Sequence, residues 1–326
     1  MQGNETKLKE EIYKDFSNSL KNILDSFVIK DNVAYVTLKA ENVNNINTLN
    51  PLKEECERIL QSKNVLIDFH VSFIKIEKKF KQVIAVSSCK GGVGKSTVSV
   101  NIAYSLKALG YSVGILDCDI YGPSIPKLLN IVQKPDVDKN KKILPINKDG
   151  IEVISIGLMI NDDKPIIWRG PMIQSALMQL INEVRWSKLD FLVLDLPPGT
   201  GDVHLTVAQK LKVDHAVVVT TSEEIAIADT RKGINMLIKF NIPISGIIEN
   251  MSYFICKKCG TKEFLFGENK AKELAKEFNT NFLGQIPFDK NFFTSVSYQK
   301  NPNSDNHTKI MNTITEKIVN LSNQIH

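Results

Sequence analysis

The sequence predicts an α/β protein: a mostly parallel sheet with helices on both faces over residues 79–326, preceded by a small α+β domain over residues 1–78. Three observations predict it. From residue 83 onward, short apolar runs alternate with helical patterns, as parallel strands covered on both sides do. A glycine-rich turn, residues 89–97, joins the first of those runs to the first of those helices. The first 78 residues follow a different order, helix, strand, helix, strand.

In the small domain, Leu8, Ile12, Phe16, Leu20, Ile23, Leu24 and Phe27 recur at helical spacing and predict one amphipathic helix. A strand follows at 33–38. Asn50 then reads as an N-cap with Pro51 at the first helical position, and Leu52, Cys56, Ile59 and Leu60 share one face, which makes Cys56 a buried thiol. A second strand spans 65–76. In the large domain, strands are predicted at 83–88, 112–117, 151–156, 189–195, 215–220, 244–249 and 281–286. Helices are predicted at 96–109, 171–184, 203–212, 224–240, 268–278 and 307–324, with surface loops at 133–149 and 298–307. Ligands of such sheets bind beyond the carboxyl ends of the strands, so the loops after strands are where chemistry is expected.

Composition narrows the classes. With 326 residues, 43% of them hydrophobic, the chain has room for one large domain and a small one. No apolar run approaches the ~20 residues that span a bilayer, and the polar first twenty residues lack a signal-peptide core, so the cytoplasm is the expected compartment. Five cysteines, an odd number, point to thiols or metal ligands rather than a disulfide framework. The net charge of +5 is mild and dispersed, and the lysine runs at 78–81 and 139–142 read as solvated, so no nucleic acid is expected as a partner. Near the end, Ile310, Met311, Ile314, Ile318, Leu321 and Ile325 form an apolar stripe with few cations opposite it. Packing against the sheet is expected, not a membrane.

The chemistry concentrates at strand ends. Lys90, Gly91, Gly92, Val93, Gly94, Lys95, Ser96 and Thr97 fit a phosphate-binding Walker A loop, with Cys89 where the first glycine is usual. Glycines let backbone N–H groups approach phosphate oxygens, Lys95 reaches the β and γ phosphates of ATP, and Ser96 holds Mg²⁺. After the next strand come Asp117 and Asp119, two carboxylates that point the same way. Asp195 ends an apolar strand as a Walker B carboxylate does and holds a Mg²⁺-bound water. Gly199 and Gly201 follow it and can present N–H groups to a γ-phosphate, while Asp202 reads as the N-cap of the helix from Val203. Asn250 closes a further strand, and its carboxamide, donor and acceptor at once, matches the edge of adenine. Cys256 and Cys259 bracket a turn of the kind found in zinc knuckles and iron–sulfur sites. Four ligands are usual there. One pair makes either an incomplete site or half of one shared by two subunits.

The early Lys90 resembles the deviant Walker A loop of dimeric ATPases. Together with residues 117–124, the Trp168-Arg169-Gly170-Pro171-Met172 stretch, residues 195–202 and Glu249-Asn250-Met251-Ser252 with the following C-x2-C, the chain resembles the Mrp/ApbC family of iron–sulfur cluster carrier P-loop NTPases over roughly residues 80–295. The resemblance implies an ATPase that works as a homodimer. It implies that Lys90 reaches the nucleotide of the opposite subunit, that Asp119 orients the attacking water, and that Asn250 contacts adenine. It further implies a 4Fe-4S cluster bridged by Cys256 and Cys259 of both subunits and delivered to apo iron–sulfur proteins. The small domain resembles the metal–sulfur cluster assembly domain, but residues 42–47 stand where a Thr-Pro-Ala-Cys-Pro-like element belongs. Two other classes compete: a positioning ATPase acting on membrane or nucleoid, and a zinc-stapled nucleotide-binding scaffold.

Overall fold

Ser17 interrupts the first helical run: its hydroxyl accepts the Leu20 N–H and caps a new, shorter helix. In the computed structural model, which describes residues 2–39, 46–72, 80–159, 170–199, 201, 203–204, 206–207, 211–289 and 306–324, the chain forms two compact units, residues 1–78 and 79–326.

The small unit comprises α1 (Gln2–Asp15), α2 (Asn18–Ile23), β1 (Leu24–Lys30), β2 (Val33–Lys39), α3 (Ile46–Ser62) and β3 (Leu66–Ser72). The single opening helix is therefore a correction: residues 24–30 are a strand, paired antiparallel with β2 through Asp31 and Asn32. Both turn residues have positive φ, 50° and 61°, as the tightest hairpins require. Phe27 and Ile29 on β1, Ala34 and Val36 on β2, Ile12, Leu20, Cys56 and Leu60 from the helices, and Phe16 between α1 and α2 share one core. Burial pushes the Cys56 thiol up to about 12, as befits a packing residue. Helix α3 begins at Ile46, so Pro51 lies inside it and not at its first position. Residues 40–45 and 73–79, with the outer part of the strand predicted at 65–76, lie outside the described residues.

The large unit is built on an eight-stranded sheet. Its strands are β4 (Phe80–Ser87), β5 (Val113–Asp117), β6 (Ile146–Lys148), β7 (Ile151–Ser155), β8 (Leu189–Asp195), β9 (His215–Thr220), β10 (Ile244–Glu249) and β13 (Phe282–Gln285), in the order β13-β10-β9-β4-β8-β5-β7-β6. Every pairing is parallel except that of β6 with β7, an antiparallel edge hairpin whose first strand, β6, falls inside the predicted 133–149 loop. The helices are α4 (Lys95–Ala108), α5 (Ile125–Leu128), α6 (Gly170–Asn182), α7 (Glu224–Lys239), α8 (Lys270–Glu277) and α9 (Asn306–Gln324). Alternation along each strand divides the sheet's apolar residues between two cores. Ile84, Val86, Ile115 and Val193 meet α4 and α9 on one face; Val83, Ala85, Leu116 and Leu194 meet α6, α7 and α8 on the other. Of the helix predicted at 203–212, residues 203–204 and 206–207 are helical, and 205 and 208–210 lie outside the described residues, as do 298–305 of the second predicted loop.

The C-terminal stripe packs inward. Met311, Ile314 and Ile318 are buried in the core shared with α4, and Ile325 lies outside the described residues. Among the described residues no helix is long and apolar enough to cross a membrane.

Helix α7 lies against the loop after β4 so closely that a Cβ on Gly233 would stand 1.7 Å from Cys89 Sγ. The sulfur occupies the room that a side chain at 233 would need. Gly233→Ala should therefore destabilise the protein by about 1–3 kcal/mol in urea unfolding, and Cys89→Ala in the same chain should recover most of the loss.

Candidate functional site

The register of the central strands sets Val86, Asp195, Asp117 and Ser155 side by side at the carboxyl edge of the sheet. The loop that follows β4 rises over this edge. Gly92 and Gly94 adopt φ of 82° and 83°, a left-handed turn that side chains resist. Gly94 is also the N-cap of α4 and carries no side-chain cap, so the first-turn N–H groups are left for an anion. A cavity of about 290 Å³ opens there, lined by the loop, Asp119, Gly122, Ser124 and Pro198.

Beneath it, Asp195 is fully buried and accepts from three groups of one helix: Lys95 Nζ at 2.8 Å and Ser96 Oγ at 2.6 Å on Oδ2, and Ser99 Oγ at 2.7 Å on Oδ1. Asp119 Oδ2 stands 4.0 Å from the same ammonium. Asp117 is also fully buried; its Oδ2 accepts from Ser155 Oγ at 2.9 Å and its Oδ1 from the Asp119 N–H at 3.0 Å. Burial, then repulsion by Asp195, pushes the Asp117 carboxyl up to about 8. Asp119 is raised by burial, with Lys95 opposing. One ammonium faces the Asp195 and Asp119 carboxyls, with the raised Asp117 carboxyl behind them, so positive charge is scarce at the site. Hard oxygen donors in that arrangement, with the Ser96 hydroxyl beside Asp195, suit Mg²⁺, and the uncapped loop suits the phosphates it would accompany.

The two thiols sit on a small hairpin, β11 (Phe254–Ile255) and β12 (Lys262–Glu263). Backbone bonds from Cys256 N to Thr261 O and from Gly260 N to Cys256 O close its turn at 2.9 and 2.8 Å. Cys256 is half-buried and Cys259 exposed. The Thr261 hydroxyl lies 3.2 Å from Cys259 Sγ, and this contact, then the Thr261 N–H and Cys256, lowers the Cys259 thiol. Lys262 Nζ stands 3.8 Å from the Tyr253 ring centroid and 4.7 Å from that of Phe264, which holds a cation within the hairpin. Among the described residues no cluster of three or more His, Cys, Asp or Glu forms a metal site. One chain thus offers two soft ligands where such centres take four.

Both ends of this hairpin touch the phosphate loop's surroundings. Before it, Asn250 Nδ2 donates to the Val93 carbonyl at 2.8 Å, and a Cβ on Gly94 would meet Asn250 Nδ2 at 2.3 Å and Met251 Cε at 3.4 Å. After it, Gly267 packs near the Ser222 carbonyl and Lys270 pairs with Glu224 at 2.9 Å. The neighbouring Glu223 pairs with Lys90.

Residues 79–321 match the family model described as ParA: NUBPL iron-transfer P-loop NTPase. The chain belongs to this family. An iron-sulfur cluster carrier protein of Aquifex aeolicus is 49% identical over 211 residues, covering 64% of this chain and 58% of that one. One from Haemophilus influenzae is 52% identical over 211 residues, covering 64% and 57%, and one from Escherichia coli K12 is 47% identical over 249 residues, covering 72% and 68%. The chain thus spans less than two thirds of the length of the first two. A nucleotide-binding protein from Archaeoglobus fulgidus in complex with ADP superposes with a TM-score of 0.58 at 36% identity, covering 73% of this chain and 88% of that one. The Pyrococcus furiosus cell division ATPase MinD, 21% identical with a TM-score of 0.54 over 74% and 99% of the chains, shares the fold.

In this P-loop NTPase, Gly91, Gly92, Gly94, Lys95, Ser96, Thr97 and Asp119 gather around one cavity, with Asp195 at its floor. Three expected residues are placed differently. Lys90 turns to Glu223 of its own chain. Asn250 lies under the loop, one of its two N–H donors given to the Val93 carbonyl. The Gly199 N–H donates to the Ser88 carbonyl at 3.0 Å, so it is not presented to the cavity. Thr200, Asp202, Trp168 and Arg169 lie outside the described residues. Sequence reasoning missed Ser99, Ser155, Glu223 and His204. Only Ser99 left a signal, one helical turn after Ser96 on the buried face. His204 is buried, and neither ring nitrogen has a hydrogen-bond partner among the described residues; burial, then Lys95, brings its imidazole down to about 4.

A carboxyl raised on folding binds its proton more tightly in the native state. Its contribution is complete below the ordinary carboxylate range and is lost as pH rises through the folded value, about 8 for Asp117. The melting temperature of the nucleotide-free protein should accordingly fall from about pH 4 to about pH 8 and level off above it, and Asp117→Asn should flatten that slope.

Proposed function

We propose that this P-loop NTPase hydrolyses Mg²⁺·ATP in the cytoplasm and, as a homodimer, carries a 4Fe-4S cluster between subunits and hands it to apo iron–sulfur proteins. The single observation that carries the proposal is the Cys256–Cys259 pair on a hairpin whose two ends rest on the phosphate loop and on its Glu223–Glu224 neighbours. The names of the iron-sulfur cluster carrier relatives support the cargo, and the ADP complex of the Archaeoglobus fulgidus protein supports the nucleotide.

The roles follow from chemistry. The N–H groups of Gly91, Gly92, Val93 and Gly94 cradle the phosphates and Thr97 continues the helix that starts there. Lys95 would turn from Asp195 to the β and γ oxygens, and Ser96 and Asp195 would hold Mg²⁺, which when bound would neutralise charge at the phosphates. Asp119, raised but tethered near Lys95, orients a water in line. With its Nδ2 fixed on Val93, Asn250 has Oδ1 as its acceptor, which fits an amino group at the base edge and therefore adenine. Lys90 is freed for the partner's nucleotide when its pairing with Glu223 breaks. Two thiolates per protomer then complete one four-thiolate site at a two-fold axis. Residues 1–78 act as an accessory cluster-assembly-like domain.

Anaerobic reconstitution with iron and sulfide tests this. The expected product is one cluster per two chains with iron–sulfur absorbance, lost in Cys256→Ala and Cys259→Ala variants that still bind ATP. Retained absorbance in those variants, or stoichiometric zinc in the protein as isolated without oxygen, would contradict the proposal.

A further inference from the structure

Ser155 ends β7 and belongs to none of the phosphate-binding motifs, yet it is fully buried at the edge of the site. Its hydroxyl donates to Asp117 Oδ2 at 2.9 Å and accepts the Gly157 N–H at 3.1 Å. With its proton and a lone pair both engaged, the hydroxyl has one orientation. Asp117 passes that constraint on, because its other oxygen accepts the N–H of Asp119 at 3.0 Å.

Two residues further along, the same segment touches the far end of the Asp119 loop. A Cβ on Gly157 would stand 2.7 Å from Pro123 Cβ and Cγ, so the backbone of the short helical turn at Ile156–Leu158 lies directly on that proline. Between these two holds, Asp119 Oδ1 accepts the Gly122 N–H at 3.2 Å, and Asp119 Oδ2 stands 4.0 Å from Lys95 Nζ. The loop bearing Asp119 is thus fixed at its root through Ser155 and Asp117, and near its end through Gly157 and Pro123.

We propose that Ser155 is a positioning residue for ATP hydrolysis: through Asp117 it sets where the Asp119 carboxylate stands over the phosphate cavity. The role rests on the assignment of hydrolysis to this cavity. Ser155 does not line the cavity, so nucleotide affinity is not its business; alignment is. A misplacement of about 1 Å can cost 10²-fold in rate.

The test compares Ser155→Ala, Ser155→Thr, Ser155→Cys and Gly157→Ala with the wild type, reading steady-state ATP hydrolysis and binding of a fluorescent ADP analogue. Ser155→Ala should lower kcat by about 10- to 100-fold while KM and ADP affinity stay within about threefold. Ser155→Thr, which keeps the hydroxyl, should recover most of kcat. Gly157→Ala, whose Cβ would stand 2.7 Å from Pro123 and 3.4 Å from Ser155 Oγ, should show the same kcat-selective loss; Ser155→Cys, which fills the same space with a weaker donor, should lose kcat as Ser155→Ala does and decides the matter if Ser155→Ala does not fold. An unimpaired Ser155→Ala beside an active wild type overturns the role alone. A loss of ADP affinity matching the loss of kcat, without recovery by Thr, also overturns it. A wild type that binds the ADP analogue but does not hydrolyse ATP overturns the assigned activity and this role with it.

Discussion

Asp195 is a carboxylate with no exposed surface at the end of a central strand, held by Lys95, Ser96 and Ser99 from a single stretch of α4. An ionised group so deep is sustainable only when its oxygens are matched by donors. Breaking such a buried pair typically costs about 3–5 kcal/mol. The start of α4 is therefore fixed relative to β8, and with it the glycine turn that precedes α4 and the cavity above. The strand order makes this possible, because β4, which delivers the loop, pairs directly with β8, which delivers the carboxylate.

The same arrangement is poorly balanced in charge. Lys95 faces Asp195, Asp119 and, behind them, Asp117, whose raised carboxyl records the cost of placing a further negative group in the interior. Such imbalance contributes little to stability and favours a cation at the site. The thiol hairpin is tied to the same loop by contact. Asn250 and Met251, the latter in a left-handed conformation with φ 52°, lead into it directly from the phosphate loop. At its other end, adjacent glutamates hold Lys90 of the loop and Lys270 beyond the hairpin. The Lys270 pair is exposed and weak by itself, whereas the Asn250 bond is buried and sets the spacing.

Much of this was legible in sequence because the signals are local. Apolar runs mark the central strands, and the residues that line the phosphate cavity come from three short stretches, each directly after a strand. What was not legible depends on register. Ser155 meets Asp117 because β7 pairs with β5 in one alignment, and Glu223 meets Lys90 because β9 lies beside β4; nothing near either residue in the chain announces it. Leu20, Ile23, Leu24 and Phe27 fit a helical period, yet Phe27 and Ile29 equally fit a strand, and the Asp31–Asn32 turn decides for the strand. The C-terminal stripe packs into the core, as its apolar face with few cations opposite predicts.

The carboxylate-rich floor of the cavity needs a cation to admit a triphosphate. Calorimetric titration of ATP into the metal-free protein, with and without Mg²⁺, measures this directly. Binding that is tight with Mg²⁺ and at least about tenfold weaker in its absence, a difference of about 1.4 kcal/mol, is the predicted result. Equal affinity under both conditions, or no binding in either, would contradict it.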